Sequence, residues 1–311
     1  MQAERFEFPG FGGKILPAVI WRPEHVKAVL QVAHGTTEHM GRYEAFAVAM
    51  AEFGVAVAGF DLRGHGRNPG DPEVAALAPG DWQASVEDMQ LFRAHLEQVF
   101  PDVPRFVMGF SLGSFLVRDL VNAYPTDSLA GVILMGTGHQ PGWLLSVMRG
   151  IVMGQIEKVS FDKPSALVRK LSFGMYNEKF KPNRTDVDWL STDEAAVDAY
   201  LADPLVRRTT SAGLFWELLG SMKRHSNPKE YHNWDQNLPV LLISGGEDPV
   251  GDAGKGVTLI QRQMTSAGMK QVTLELIPGA RHAILMGSTD AEQRIGAWLK
   301  TVCDPKEHMG G

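Results

Sequence analysis

The stretch Phe106-Val107-Met108-Gly109-Phe110-Ser111-Leu112-Gly113 decides how the rest of this chain is read. A short apolar run leads into G-x-S-x-G at 109–113, and a helix-like segment, Gly113 to Tyr124, follows. That order of strand, tight turn and helix is what a nucleophile elbow requires. A serine at the tip of such a turn takes a strained backbone conformation, while the strand and helix backbones approach closely beside it. Only small residues fit there, and Gly109 and Gly113 supply them. The helix behind Ser111 aims its free N–H groups and positive dipole end at any charge forming on a substrate oxygen. In a chain with 33 glycines the pattern can arise by chance, so its meaning rests on the flanking elements.

Working outward, apolar runs alternate with amphipathic segments, the pattern of a mostly parallel sheet with helices on both faces. The strand candidates are Ile15–Trp21, Ala28–Ala33, Val55–Phe60, Arg105–Met108, Gly131–Met135, Pro239–Ser244 and Val272–Ile277. Several are continuously apolar, as strands buried on both faces should be. Phe6–Phe8 and Ile15–Trp21, joined through Gly10, Gly12 and Gly13, predict an antiparallel hairpin at the sheet edge. In the helix candidate Arg42–Phe53 the residues Tyr43, Phe46, Ala47, Met50 and Phe53 form one stripe, and in Gln83–Val99 the residues Val86, Met89, Leu96 and Val99 form another, for which Asp81 is the expected N-cap. Ala253–Ala267 and Asp290–Val302 read as the last two helices. Between about Gly138 and Asn237 strand signals stop and Pro and charged breaks interrupt helical segments. A stretch of that length is too long for a loop, and an inserted helical cap accounts for it. The expected division is a core of 1–137 and 238–303, a cap or lid of 138–237, and a flexible tail of 304–311.

Composition narrows the class. The 311 residues carry a net charge of −6, which argues against nucleic acid as a partner, because phosphate binding needs a basic surface. The single cysteine, Cys303, rules out an intrachain disulfide and fits a reducing, cytoplasmic setting. Met1-Gln2-Ala3-Glu4-Arg5 has mixed charge and lacks the apolar region of a secretory leader. The nearest approach to a membrane span is Trp143 to Gly154, too short and broken by Arg149. There is no metal case, since neither a His-x-x-x-His pair on one helix nor a cysteine pair occurs, and no phosphate loop matches G-x-x-x-x-G-K-[ST].

A serine hydroxyl is a weak nucleophile at neutral pH and needs a base, which in turn needs a group that fixes its tautomer. In a doubly wound sheet these belong at the carboxyl ends of strands. Asp248 follows Val240–Ser244 through Gly245-Gly246-Glu247, and His282 follows Val272–Ile277 through Pro278-Gly279-Ala280-Arg281. Glu247 and Asp252 compete with Asp248; of the 10 histidines only His308, in the tail, comes after His282. Ser114 lies inside the helix and Ser244 ends a strand, so neither is the expected nucleophile. The oxyanion donors are expected to be the backbone N–H groups of Leu112 and of Thr36 in the loop His34-Gly35-Thr36-Thr37.

Taken together, His34-Gly35-Thr36-Thr37-Glu38-His39-Met40-Gly41-Arg42-Tyr43, Phe60-Asp61-Leu62-Arg63-Gly64-His65-Gly66, the elbow, Ser244-Gly245-Gly246-Glu247-Asp248-Pro249-Val250 and Gly279-Ala280-Arg281-His282 resemble the α/β-hydrolase superfamily. More narrowly they resemble its monoacylglycerol lipase and lysophospholipase group, the serine aminopeptidase S33 type. The resemblance covers both ends of the chain and no motif in the cap. It implies an α/β-hydrolase fold: a mostly parallel eight-stranded sheet with helices on both faces and an inserted helical cap. It also implies Ser111 as nucleophile, His282 as base and Asp248 as its orienter, with Thr36 and Leu112 as oxyanion donors. The chain departs from the pattern at Phe110, where histidine is common, and at Thr36-Thr37, where a small residue and a glycine are common. In similar proteins the turns holding His39 and His65 organise loops rather than do chemistry.

The expected function is a cofactor-free serine carboxylic ester hydrolase acting on a monoacylglycerol, lysophospholipid or similar lipophilic ester. The apolar stretches Trp143–Met153 and Leu214–Leu219 either pack on the core or line an acyl tunnel above Ser111. Trp143, Met148 and Phe215 are the substrate-binding candidates, and the lid is expected to touch lipid interfaces transiently. The alternatives are an amidase or aminopeptidase, with Asp193, Glu194 or Asp198 anchoring a substrate amine, and a non-catalytic small-molecule binder on the same fold.

Overall fold

A computed structural model describes residues 1–287 and 289–304. The expected flexible tail lies, apart from Asp304, outside the described residues.

Among the described residues ten strands form in chain order: β1 (Gln2–Pro9), β2 (Ile15–Arg22), β3 (Ala28–Ala33), β4 (Val55–Phe60), β5 (Val74–Ala75), β6 (Arg105–Phe110), β7 (Gly131–Met135), β8 (Thr209–Thr210), β9 (Val240–Gly245) and β10 (Val272–Ile277). Eight of them build one sheet in the order β1-β2-β4-β3-β6-β7-β9-β10. The hairpin β1/β2 and the pair β2/β4 are antiparallel; every other pairing in this sheet is parallel. β3, β4, β7 and β9 are buried along their whole length, which is why their sequences are continuously apolar rather than alternating.

The helices are α1 (Glu44–Glu52), α2 (Asp81–Val99), α3 (Leu112–Ala123), α4 (Gly142–Val159), α5 (Ala166–Arg169), α6 (Met175–Glu178), α7 (Glu194–Ala202), α8 (Ala212–Arg224), α9 (Lys255–Ser266) and α10 (Ala291–Cys303). Apolar residues of α2, α3 and α9 pack on one face of the sheet, with Val107 of β6 among them. Those of α1 and α10 pack on the other, with Phe106, Met108 and Phe110. Alternate residues of β6 thus serve opposite cores, and burying such side chains is worth about 1.5–3 kcal/mol each.

Two local expectations are corrected. α2 begins at Asp81 itself, after Gly80 in the left-handed region (φ 89°). The Asp81 carboxylate instead accepts from Ala78 N and pairs with Arg63 Nη1. The helix expected from Arg42 starts at Glu44, because Met40–Tyr43 forms a 3-10 turn capped by His39, whose Nδ1 accepts from Gly41 N.

The segment between β7 and β9 holds α4 to α8, and a strand that the sequence pattern did not reveal. β8 pairs in parallel with β5, Val74 opposite Thr209 and Ala75 opposite Thr210. Arg207 Nη2 donates to the carbonyls of Gly66 and Asn68, and His39 Nε2 meets Asp203 Oδ2 at 2.9 Å. α4 lies along α8 over a small apolar core of its own, including Leu145, Val152, Phe215 and Leu219.

Candidate active site

β6 ends at Phe110 and α3 begins at Leu112, so Ser111 alone makes the turn, at φ 52° and ψ −115°. The strain is held from both sides. Ser111 N donates to Met135 O at 2.9 Å, and Ser111 O accepts from Ser114 N and Ser114 Oγ. The flanking glycines are sterically required. A β-carbon on Gly109 would lie 2.2 Å from Gly113 O, and one on Gly113 would lie 2.1 Å from Ala33 O.

Three expected side chains meet here. His282 Nε2 is 2.9 Å from Ser111 Oγ, and His282 Nδ1 is 2.9 Å from both Asp248 carboxylate oxygens. Asp248 and His282 are buried, while Ser111 is half-buried and faces a cavity. With Nδ1–H donating to the carboxylate, Nε2 keeps its lone pair for the serine proton. Asp248 is further held by Val250 N at 2.8 Å and Ser244 Oγ at 3.0 Å. Sequence reasoning set Ser244 aside as a nucleophile and missed this second role; its place four residues before Asp248 on the same strand end was the available signal. Of the rival acids, Glu247 is exposed and Asp252 faces Lys179 at 3.9 Å.

The His34–Thr37 loop borders the same space. Gly35 N donates to Glu38 Oε1, which also accepts from Tyr43 OH, both at 2.7 Å. Thr36 lines the cavity beside Ser111 and Leu112. Leu112 N belongs to the first turn of α3 and has no acceptor within the helix by geometry. His34 accepts from Leu62 N at Nε2 and donates from Nδ1 to Gly35 O; burial pushes its pKa down to about 3.

Two recesses open at Ser111. The apolar one encloses about 340 Å³ and is lined by residues including Phe115, Leu144, Met148, Phe215 and Leu218. The other is lined by Thr37, Tyr200, Arg207 and Met286, among others. Met148 and Phe215 therefore line the cavity that opens at Ser111. Trp143 does not: it is 71% exposed on the outer side of α4, a correction to its expected place. The helical period turns Trp143 outward while Leu144, Leu145 and Met148 turn in.

Sequence reasoning also missed Trp189. Its ring stacks on His282 at 5.0 Å and borders both recesses, and its carbonyl accepts from His282 N. No local motif marks a tryptophan whose partner lies 93 residues away in the chain. Tyr176 stands beside it, its phenol pushed up to about 12 by burial and by the charge of Asp248. Asp193, Glu194 and Asp198 are engaged away from the site. Asp193 caps α7 through Ala196 N, Asp198 meets Arg184 Nη1 at 2.7 Å, and Glu194 lies 3.8 Å from Arg184 Nε.

Comparison with known proteins agrees with this architecture. The model of the family described as serine aminopeptidase, S33, matches residues 24–289. A monoglyceride lipase of Mus musculus is 29% identical over 276 residues, covering 88% of this chain and 81% of that protein. A monoacylglycerol lipase of Mycolicibacterium smegmatis is 27% identical over 295 residues, covering 93% and 92%. Among solved structures, a thermostable carboxyl esterase from Bacillus coagulans in complex with glycerol superposes with a TM-score of 0.85 at 24% identity, covering 97% of this chain and 99% of that one. Across most of its length, and in the order of its strands, the chain belongs to the serine aminopeptidase S33 family of α/β-hydrolases.

Proposed function

We propose that this protein is a serine carboxylic ester hydrolase acting through an acyl-enzyme on a monoacylglycerol, lysophospholipid or similar lipophilic ester. The observation that carries the reading is the Asp248–His282–Ser111 relay at the mouth of an apolar recess. The names of the mouse and mycobacterial relatives support the lipid character of the substrate.

In this reading the acyl chain lies in the apolar recess beside Met148 and Phe215, and the alcohol half lies in the second recess. Ser111 Oγ attacks the ester carbonyl as its proton passes to His282 Nε2, and Asp248 stabilises the imidazolium at Nδ1. The N–H groups of Thr36 and Leu112 receive the oxyanion. The tetrahedral intermediate collapses, the alcohol leaves with the proton from Nε2, and Ser111 carries the acyl group. Water, deprotonated by His282, then releases the acid and restores Ser111. In this reading 1–137 and 238–303 form the core and 138–237 the lid, a division supported by the share of the apolar recess lined from 138–237.

The test is a fluorophosphonate probe with an ester panel. The wild type should be labelled at one serine and Ser111→Ala should not be; labelling unchanged by that substitution would refute the assignment. Turnover should favour monoacylglycerol or lysophosphatidylcholine over aminoacyl-anilides. The family's description favours the aminopeptidase as the second reading, but the acids expected to anchor an amine are bound elsewhere.

A further inference from the structure

Four rings run from the core into the lid. Phe110 lies 4.9 Å from the His282 ring, Trp189 stacks on His282 at 5.0 Å with 29° between planes, and Phe173 stacks on Trp189 at 5.8 Å and 16°. The imidazole therefore has one aromatic neighbour at the end of β6 and one in the segment after α6. Trp189 is buried, yet its indole Nε1–H has no hydrogen-bond partner. A buried donor without an acceptor is destabilising, and phenylalanine would avoid that cost. The ring is thus suited to the site by its face, and an indole presents the best π face to a cation.

Its placement is well determined. Trp189 N donates to Asn177 Oδ1 at 3.0 Å, and Trp189 O accepts from His282 N at 3.3 Å. The next bond, Ala283 N to Leu190 O at 2.8 Å, fastens the same two segments, as does Arg281 Nη1 donating to the carbonyls of Asp188 and Ser191. Resting on the roles given above to Ser111, His282 and Asp248, we propose that Trp189 is a positioning residue for the base. Its indole holds the His282 imidazole in line between Asp248 and Ser111 and stabilises, through its face, the imidazolium that forms when Ser111 gives up its proton. Asp248 meets that charge at the ring edge and Trp189 meets it at the ring face. The guanidinium of the neighbouring Arg281 donates to the carbonyls of Asp188 and Ser191 and lies over Phe180.

The experiment measures kcat and KM for p-nitrophenyl butyrate in wild type, Trp189→Phe and Trp189→Leu, and repeats Trp189→Leu in a His282→Ala background. Trp189→Leu should lower kcat about tenfold with KM within about threefold, the scale of a lost cation–π contact in a transition state. Trp189→Phe should recover most of that loss. In the His282→Ala background Trp189→Leu should change the residual rate less than about twofold, because a residue acting through the imidazole is coupled to it. An equal loss without the imidazole, a loss confined to KM, or full activity in Trp189→Leu would overturn the proposal. If the wild type neither reacts with fluorophosphonate nor hydrolyses esters, the serine hydrolase reading falls and this proposal with it. If labelling persists while the Trp189 pattern fails, only this proposal falls. Should Trp189→Leu not fold, Trp189→Met set against Trp189→Phe gives the same comparison, with the same outcomes required.

Discussion

At Gly113 one added methyl group would decide whether the elbow can close. Its β-carbon would meet the Ala33 carbonyl at 2.1 Å, and backbone has no rotamer with which to yield. Gly113→Ala should lower Tm markedly, on the order of the 1–3 kcal/mol of overpacking, and abolish fluorophosphonate labelling. Both are read from a melt and a gel of the same sample. Ser244 offers a finer test: it donates to Asp248 Oδ2 and touches nothing that reacts. Ser244→Ala should cost about 1–3 kcal/mol of stability, for a hydrogen bond to a charged acceptor, and reduce kcat less than Asp248→Asn, for which a loss of about 10⁴ is expected from the wrong imidazole tautomer. Steady-state kinetics on one ester ranks the three enzymes, and equal effects would contradict the orienting role of Asp248. Gly113 was readable from the sequence because elbow sterics are local. Trp189 was not, because its partner is brought to it only when the segment between β7 and β9 folds.

The helices α4 and α8 divide their surfaces by period, and that division sets the next outcomes. Met148 and Phe215 face the apolar recess, whereas Trp143 and Val147 are exposed on the outer side of α4. Met148→Trp should fill the recess and shift the preferred p-nitrophenyl ester toward shorter chains, while Phe215→Ala should move it the other way. A chain-length profile unchanged in both would remove the acyl chain from this space. Trp143→Ala should weaken partition onto phosphatidylcholine vesicles and leave p-nitrophenyl butyrate turnover unaltered, as measured by co-sedimentation and initial rates. The strand positions of the main sheet followed from apolar patterning, and most boundaries moved by a residue or two, although β1 begins at Gln2, four residues before the expected Phe6. β5 and β8 escaped it, because two residues carry no periodicity and their pairing joins positions 74 and 209.

At the scale of the molecule, pH acts through the interior. His34 and His65 are both buried, and burial above all pushes each down to about 3 from an ordinary 6.5. In the unfolded chain they bind protons below pH 6.5, while in the folded chain they stay neutral until about pH 3. The unfolded state therefore holds more protons throughout that window, so stability falls as pH drops through it and is flat with respect to these groups above it. The geometry gives the reason: Leu62 N donates to His34 Nε2, and a proton there would face a donor. Calorimetry should find Tm constant near neutrality and falling from about pH 6.5 downward. His65→Asn, which cannot titrate, should flatten the fall.

The division between sequence and tertiary structure follows distance along the chain. Apolar runs, turn glycines and the elbow are decided by neighbours within a few residues, so a mostly parallel sheet and the candidate positions Ser111, Asp248 and His282 could be read directly, and the family resemblance supplied the count of eight strands. The outward turn of Trp143, the donor role of Ser244 and the indole against His282 depend on which surfaces are brought together. Those contacts exist only once the segment between β7 and β9 folds back over the strand ends, because burial and stacking are properties of packed surfaces, and local patterning does not encode them.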